Sequence, residues 1–169
     1  MNYEIKVMMH HNSKVAILKT WPETVLDDYV RLCDLAGMKE ALDPSTTTIL
    51  KDNISWHLLY PGANTTPWQL EGTIKALRGS GFGDLVDVHN KTVVTIADLG
   101  DRYNKFGPVF KKYGIPVLYN FKDEDMKWVP FRPKAEMAVL HKVYPDGIRL
   151  PYYFFGKNIV HLPTVKTHS

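Results

Sequence analysis

An α/β fold with a mainly parallel sheet, mixed at one edge, is predicted by three features of this chain. Short runs rich in β-branched and aliphatic residues alternate with amphipathic stretches of helical period. Gly, Pro and Thr punctuate the changeovers at the positions where helices start and stop. The 169 residues are 44% hydrophobic and 23% charged, enough apolar material for one real core. Strands alternating with helices require crossover connections, and crossovers imply parallel pairing.

The elements follow in order. Residues 14–19 (KVAILK) read as a first strand. Thr20-Trp21-Pro22-Glu23 has the form of a helix start, with Thr20 as cap and Pro22 in the first turn. Val25, Leu26, Tyr29, Val30, Cys33 and Ala36 then form an apolar stripe, which Gly37 ends. Residues 46–54 (TTTILKDNI) predict a second strand. After the loop at 60–65, Thr66-Pro67-Trp68-Gln69 matches a capping box, followed by Leu70, Ile74 and Leu77 at helical spacing. Residues 85–88 predict a third strand. Residues 93–97 fit a short strand or extended loop. Residues 101–113 predict a helix that Gly107-Pro108 must break or kink. Residues 115–119 predict a buried strand and 123–133 a polar connection. Residues 136–143 fit either a helix or a strand, with strand preferred. Residues 150–155 and 158–162 are expected to pair as strands about a turn at Gly156-Lys157. This order describes a Rossmann-like, three-layer domain spanning residues 1–169, with the last strand pair as its mixed edge.

Composition excludes several classes. The formal charge is only +3, no argument on its own for nucleic acid, whose binders usually show a clustered basic face. From Gly147 to Ser169 there is no Asp or Glu, which suits either a hydrophobic strand pair or an anion-facing end. No apolar run approaches the roughly 20 residues of a membrane span. Met1-Asn2-Tyr3-Glu4 does not have the form of a secretory signal, so a cytoplasmic location is expected. One cysteine, Cys33, cannot ligate an iron–sulfur cluster or build a Cys-based zinc site. No metal site is expected from His10-His11 or from Asp123-Glu124-Asp125, and the cofactor, if any, is not specified.

Ligands of open α/β sheets bind at the carboxyl ends of strands, beside helix N-termini. Lys51 and Asn53 fall there with i, i+2 spacing, so both side chains share a face. The following loop leads into a helix whose free amides favour an anion. Lys51 would supply charge, Asn53 a donor, and Thr65 and Thr66 hydroxyls, for a small carboxylate or phosphate. The competing assignment is structural: Asn53 ties the loop, Thr66 caps, and Lys51 is solvated. Asp52 points to the opposite face, towards a base on a neighbouring strand or a turn. A second candidate is Lys166 with His168, again at i, i+2, suited to proton transfer or to clamping an anion.

Three segments, Leu50-Lys51-Asp52-Asn53-Ile54-Ser55-Trp56, Pro61-Gly62-Ala63-Asn64-Thr65-Thr66-Pro67 and Leu162-Pro163-Thr164-Val165-Lys166-Thr167-His168, together resemble the DUF362 family, prokaryotic proteins without an assigned chemistry. The family usually has Lys-Pro-Asn where this chain has Lys51-Asp52-Asn53. Similar members continue well past the Lys-Thr-His motif, so the chain is expected to be the N-terminal part of a longer protein. The resemblance implies that Lys51, Asn53, Lys166 and His168 converge on one site. Three functions stay open: an enzyme domain for a small anionic substrate, a non-catalytic scaffold serving a metallocentre or electron-transfer partner, or a fragment inactive alone.

Overall fold

The computed structural model describes residues 5–10, 13–134 and 137–167. Its centre is a four-stranded, wholly parallel sheet. The strands are β3 (Thr48–Asp52), β4 (Leu85–His89), β5 (Val117–Tyr119) and β8 (Asn158–Leu162), in the order β5-β4-β3-β8. The α/β, Rossmann-like architecture predicted from the sequence is therefore present.

Strand β3 is central because it is apolar on both faces. Ile49 and Leu50 point to opposite sides and are both fully buried. On one face Leu50, Leu85 and Leu162 meet α3 (Pro67–Gly79) and α5 (Phe106–Tyr113) through Leu70, Ile74, Leu77, Phe106 and Phe110. On the other face Ile49, Val86 and Val88 are covered by Met126, Tyr153 and Phe154. The third layer is thus supplied largely by the segment returning from β5 to β8.

Helix α1 (Val25–Ala36) packs on α3. Their approach is so close that a Cβ on Gly72 would lie 2.5 Å from Tyr29 Cβ. Gly37, at φ 79°, ends α1 as expected. Its start differs from expectation. The N-cap position is Thr24, and the hydroxyls of Thr20 and Thr24 both donate to Asp28 Oδ2, at 2.8 and 2.6 Å. A short helix, α2 (Met38–Ala41), follows.

Four other expectations are corrected. First, residues 14–19 do not join the parallel sheet. Strand β2 (Ser13–Leu18) pairs antiparallel with β1 (Ile5–His10) in a separate hairpin. Second, the helical stretch breaks at Lys105, φ 63°, between α4 (Ala97–Asn104) and α5. Gly107-Pro108 sits in the first turn of α5, where a missing amide hydrogen costs nothing. Third, 136–143 does not supply a strand. Its described residues carry the single-turn helix α6 (Leu140–Val143), the alternative open for this segment, and residues 135 and 136 lie outside the described residues.

Fourth, the last two predicted strands do not pair with each other. Strand β7 (Ile148–Pro151) pairs antiparallel with β6 (Trp128–Phe131), inside the expected polar connection. A 3-10 turn (Tyr152–Phe154) then carries the chain across the sheet, and β8 lies parallel to β3. The mixed edge is accordingly a separate ribbon. The reason is apolar cover: Tyr153 and Phe154 are needed over Ile49 and Val88, which a tight hairpin would prevent.

Strand β3 connects to β4 through a helix on one face, whereas β8 is reached by a return over the other. The carboxyl ends of the parallel strands are the usual ligand position of this fold class. Among the described residues, no helix is long and apolar enough to cross a membrane.

Candidate functional site

At the carboxyl end of β3 the chain turns sharply, and the polar side chains of residues 53–66 hold that turn. The backbone amide of Asn53 donates to Thr65 Oγ1 at 2.8 Å, and the amide of Thr65 donates to Asn53 O at 2.8 Å. Asn53 Nδ2 donates to Ala63 O at 2.9 Å. Thr65 Oγ1 donates to Leu162 O at 2.5 Å, which joins the loop to the end of β8. Thr66 caps α3, accepting from the Gln69 amide at 3.3 Å. The other half of the expected capping box is diverted: Gln69 Nε2 donates to Pro163 O at 3.4 Å.

Asn64, fully buried, is the hub of this loop. Its Oδ1 accepts from the amides of Ser55 and Trp56, and its Nδ2 faces Trp56 O, Leu58 O and Asn104 Oδ1. Thr164 Oγ1 donates to Asn64 O at 2.8 Å. The two sequence segments nominated as a site therefore meet, through residues 64–69 and 162–164. Asn53, Thr65 and Thr66 all serve within the turn. Lys166 is exposed on the extended segment beyond β8, and His168 lies outside the described residues.

Lys51 curls over the end of its strand. Its Nζ donates to Asp52 O at 2.8 Å and lies 3.7 Å from Asp52 Oδ1. Its register partner on β8 is His161. Asp52 occupies the opposite face, and its neighbour there is a base on the adjacent strand. His89 Nδ1 stands 3.1 Å from Asp52 Oδ1 and 3.4 Å from Asp87 Oδ2.

Asp52, Asp87 and His89 form a buried cluster at the carboxyl ends of β3 and β4. Among the described residues, Asp52 Oδ2, both oxygens of Asp87, and His89 Nε2 have no hydrogen-bond partner. Burial pushes the Asp87 carboxyl well above its usual range, and the charge of Asp52 adds to this, with His89 and Lys51 opposing. Burial opposes a charge on His89. The hydrogen bond and charge of Asp52, with the charge of Asp87, outweigh it and push His89 up to about 9. Asp101, on α4, is raised by burial in the same neighbourhood. The rings of Phe110 and Tyr119 wall the imidazole at centroid distances of 6.1 and 5.6 Å. Helix α4 comes close because Gly100 has no side chain: a Cβ there would lie 2.6 Å from Ile54 Cγ2.

The strand predicted over residues 85–88 extends to His89, and Asp87 and His89 are not among the candidate residues that the sequence points to. The signal was present, since a charged residue inside an apolar strand is costly unless it has a partner. A cavity of about 680 Å³ lies elsewhere, between β6, β7 and α6, and includes none of this cluster. Chemistry favours the cluster, where several ionisable groups converge on one point. No family model, curated protein or solved structure matches this chain.

Proposed function

We propose that this chain is a DUF362-like enzyme domain that acts on a small anionic substrate at the carboxyl end of its parallel sheet. The observation that carries this reading is the convergence of Lys51, Asp52, Asp87 and His89 on the ends of two adjacent strands. Lys51 supplies the counter-charge for a carboxylate or phosphate, and the acidic cluster beside it supplies the reacting groups. Lys166 follows the strand that adjoins β3, and this reading keeps for Lys166 and His168 the proton-transfer role the sequence suggests. The lone, half-buried Cys33 fits a reducing, cytoplasmic compartment. The modest net charge fits a small ligand better than nucleic acid.

Thermal unfolding in inorganic phosphate and in a series of small carboxylates tests the proposal. At about ten times the dissociation constant, a ligand raises the melting temperature by about 3 °C. The wild type should show that rise and Lys51→Met should not. Absence of a rise with every anion, or an equal rise in both proteins, overturns it.

A second reading, a non-catalytic binding module, is favoured by one observation. The loops after β3 and β4 expose Trp56, Leu58, Leu59 and Tyr60 together with Val93, Val94 and Ile96. Sedimentation of the wild type against Leu59→Glu tests for self-association through this surface.

A further inference from the structure

We infer that Asp52, Asp87 and His89 form a binding site for one divalent transition-metal cation, of the manganese or zinc class. The inference shares its location with the proposed function but does not depend on any substrate.

Three observations carry it. The first is unpartnered polarity. Among the described residues, neither carboxylate oxygen of the fully buried Asp87 is hydrogen-bonded, His89 at 3.4 Å being its one ionic neighbour, and Asp52 Oδ2 has no hydrogen-bond partner. Buried carboxylates are otherwise hydrogen-bonded, paired or metal-bound. The second is spacing. One donor atom from each residue lies within 4.8 Å of the others, and His89 Nδ1 is 3.1 and 3.4 Å from oxygens of Asp52 and Asp87. Donors about 2.1 Å from a common ion in octahedral or tetrahedral geometry stand about 3.0–3.4 Å apart. The third is charge. Once a metal displaces their protons, two carboxylates and a neutral imidazole carry a charge that one divalent cation cancels within the buried volume.

The donor set narrows the ion. Calcium takes six to eight oxygens, and magnesium prefers oxygen and water. An imidazole beside two carboxylates suits manganese, iron or zinc. The three ligands come from strands rather than loops, so their backbone positions are held by the sheet. Phe110 and Tyr119 flank the imidazole, and the Lys51 ammonium lies 3.7 Å from Asp52 Oδ1.

The test uses the whole chain, stripped with EDTA, in chloride salts with no other anion. Manganese and zinc chlorides are titrated separately by calorimetry, and melting is followed with and without each metal. The expected result is one ion per chain and a rise of about 5 °C in melting temperature. Asp87→Asn keeps the shape and removes the charge. It should melt in EDTA no lower than the wild type, while binding the metal at least about tenfold more weakly. His89→Gln should weaken binding likewise, which separates this site from adventitious zinc on other histidines. No binding of either metal, or binding unchanged in both variants, overturns the inference. Because no substrate is present, failure of the Lys51→Met anion test leaves this result untouched.

Discussion

His89 Nδ1 lies 3.1 Å from Asp52 Oδ1, and this contact joins the carboxyl ends of β4 and β3 through two side chains that are almost wholly buried. The pair makes the metal-free protein sensitive to alkali. His89 is held at about 9 in the folded chain against an ordinary value near 6.5. A raised histidine stabilises fully below its unfolded value and loses that contribution as pH rises through the folded one. The raised Asp87 acts in the same sense, because the folded state keeps a proton that the unfolded state releases. In EDTA, stability should therefore fall between about pH 6.5 and 9, by roughly 3 kcal/mol for His89. Denaturant midpoints across that range check it, and His89→Gln should flatten the slope.

Gly72→Ala tests the contact between α1 and α3. The added methyl would sit 2.5 Å from Tyr29 Cβ, so the helices must separate or shift. A loss of about 1–3 kcal/mol is expected by urea denaturation. Retention of wild-type stability would mean that α1 moves freely against α3.

Asn64→Ala tests the hub of the loop after β3. The truncation leaves the amides of Ser55 and Trp56 and the oxygen of Asn104 without this partner. A loss of about 2–4 kcal/mol follows from those orphaned groups. Hydrogen exchange should rise first at Ser55 and Trp56, whose amides Asn64 Oδ1 accepts.

Thr65→Val removes a hydroxyl with little change of shape. Thr65 Oγ1 is the direct link between Asn53 and Leu162. A loss of about 1–3 kcal/mol is expected. The Asn53 amide should lose protection, while the sheet amides between β3 and β4 keep theirs.

Much of the frame was legible because it is local. The apolar stripe of α1, the Thr66 cap with Pro67 behind it, and the two-sided burial of β3 all express side-chain period or a contact within four residues. The errors were of partnership. Residues 150–155 and 158–162 looked like one hairpin because turn residues separate them, yet β7 pairs with β6 and β8 with β3. Turn chemistry reports where a chain can bend; the apolar demand of a distant sheet face decides where it goes next.

The site divided in the same way. Lys51 and Asn53 were conspicuous as polar residues at a predicted strand end, and Asn53 proved to hold the turn to Ala63 O. Asp87 and His89 were passed over because their meaning depends on Asp52, and Asp52 stands 37 residues from His89. The sequence by itself determined the α/β character, the strand carrying Lys51 and Asp52, and the helix start at Thr66. Only the tertiary structure decided that Asp52, Asp87 and His89 share one buried point. The reason is physical: helix and strand character arises from neighbours along the chain, whereas the burial and charge that govern an ionisable group come from elements brought beside it by the crossover between β3 and β4.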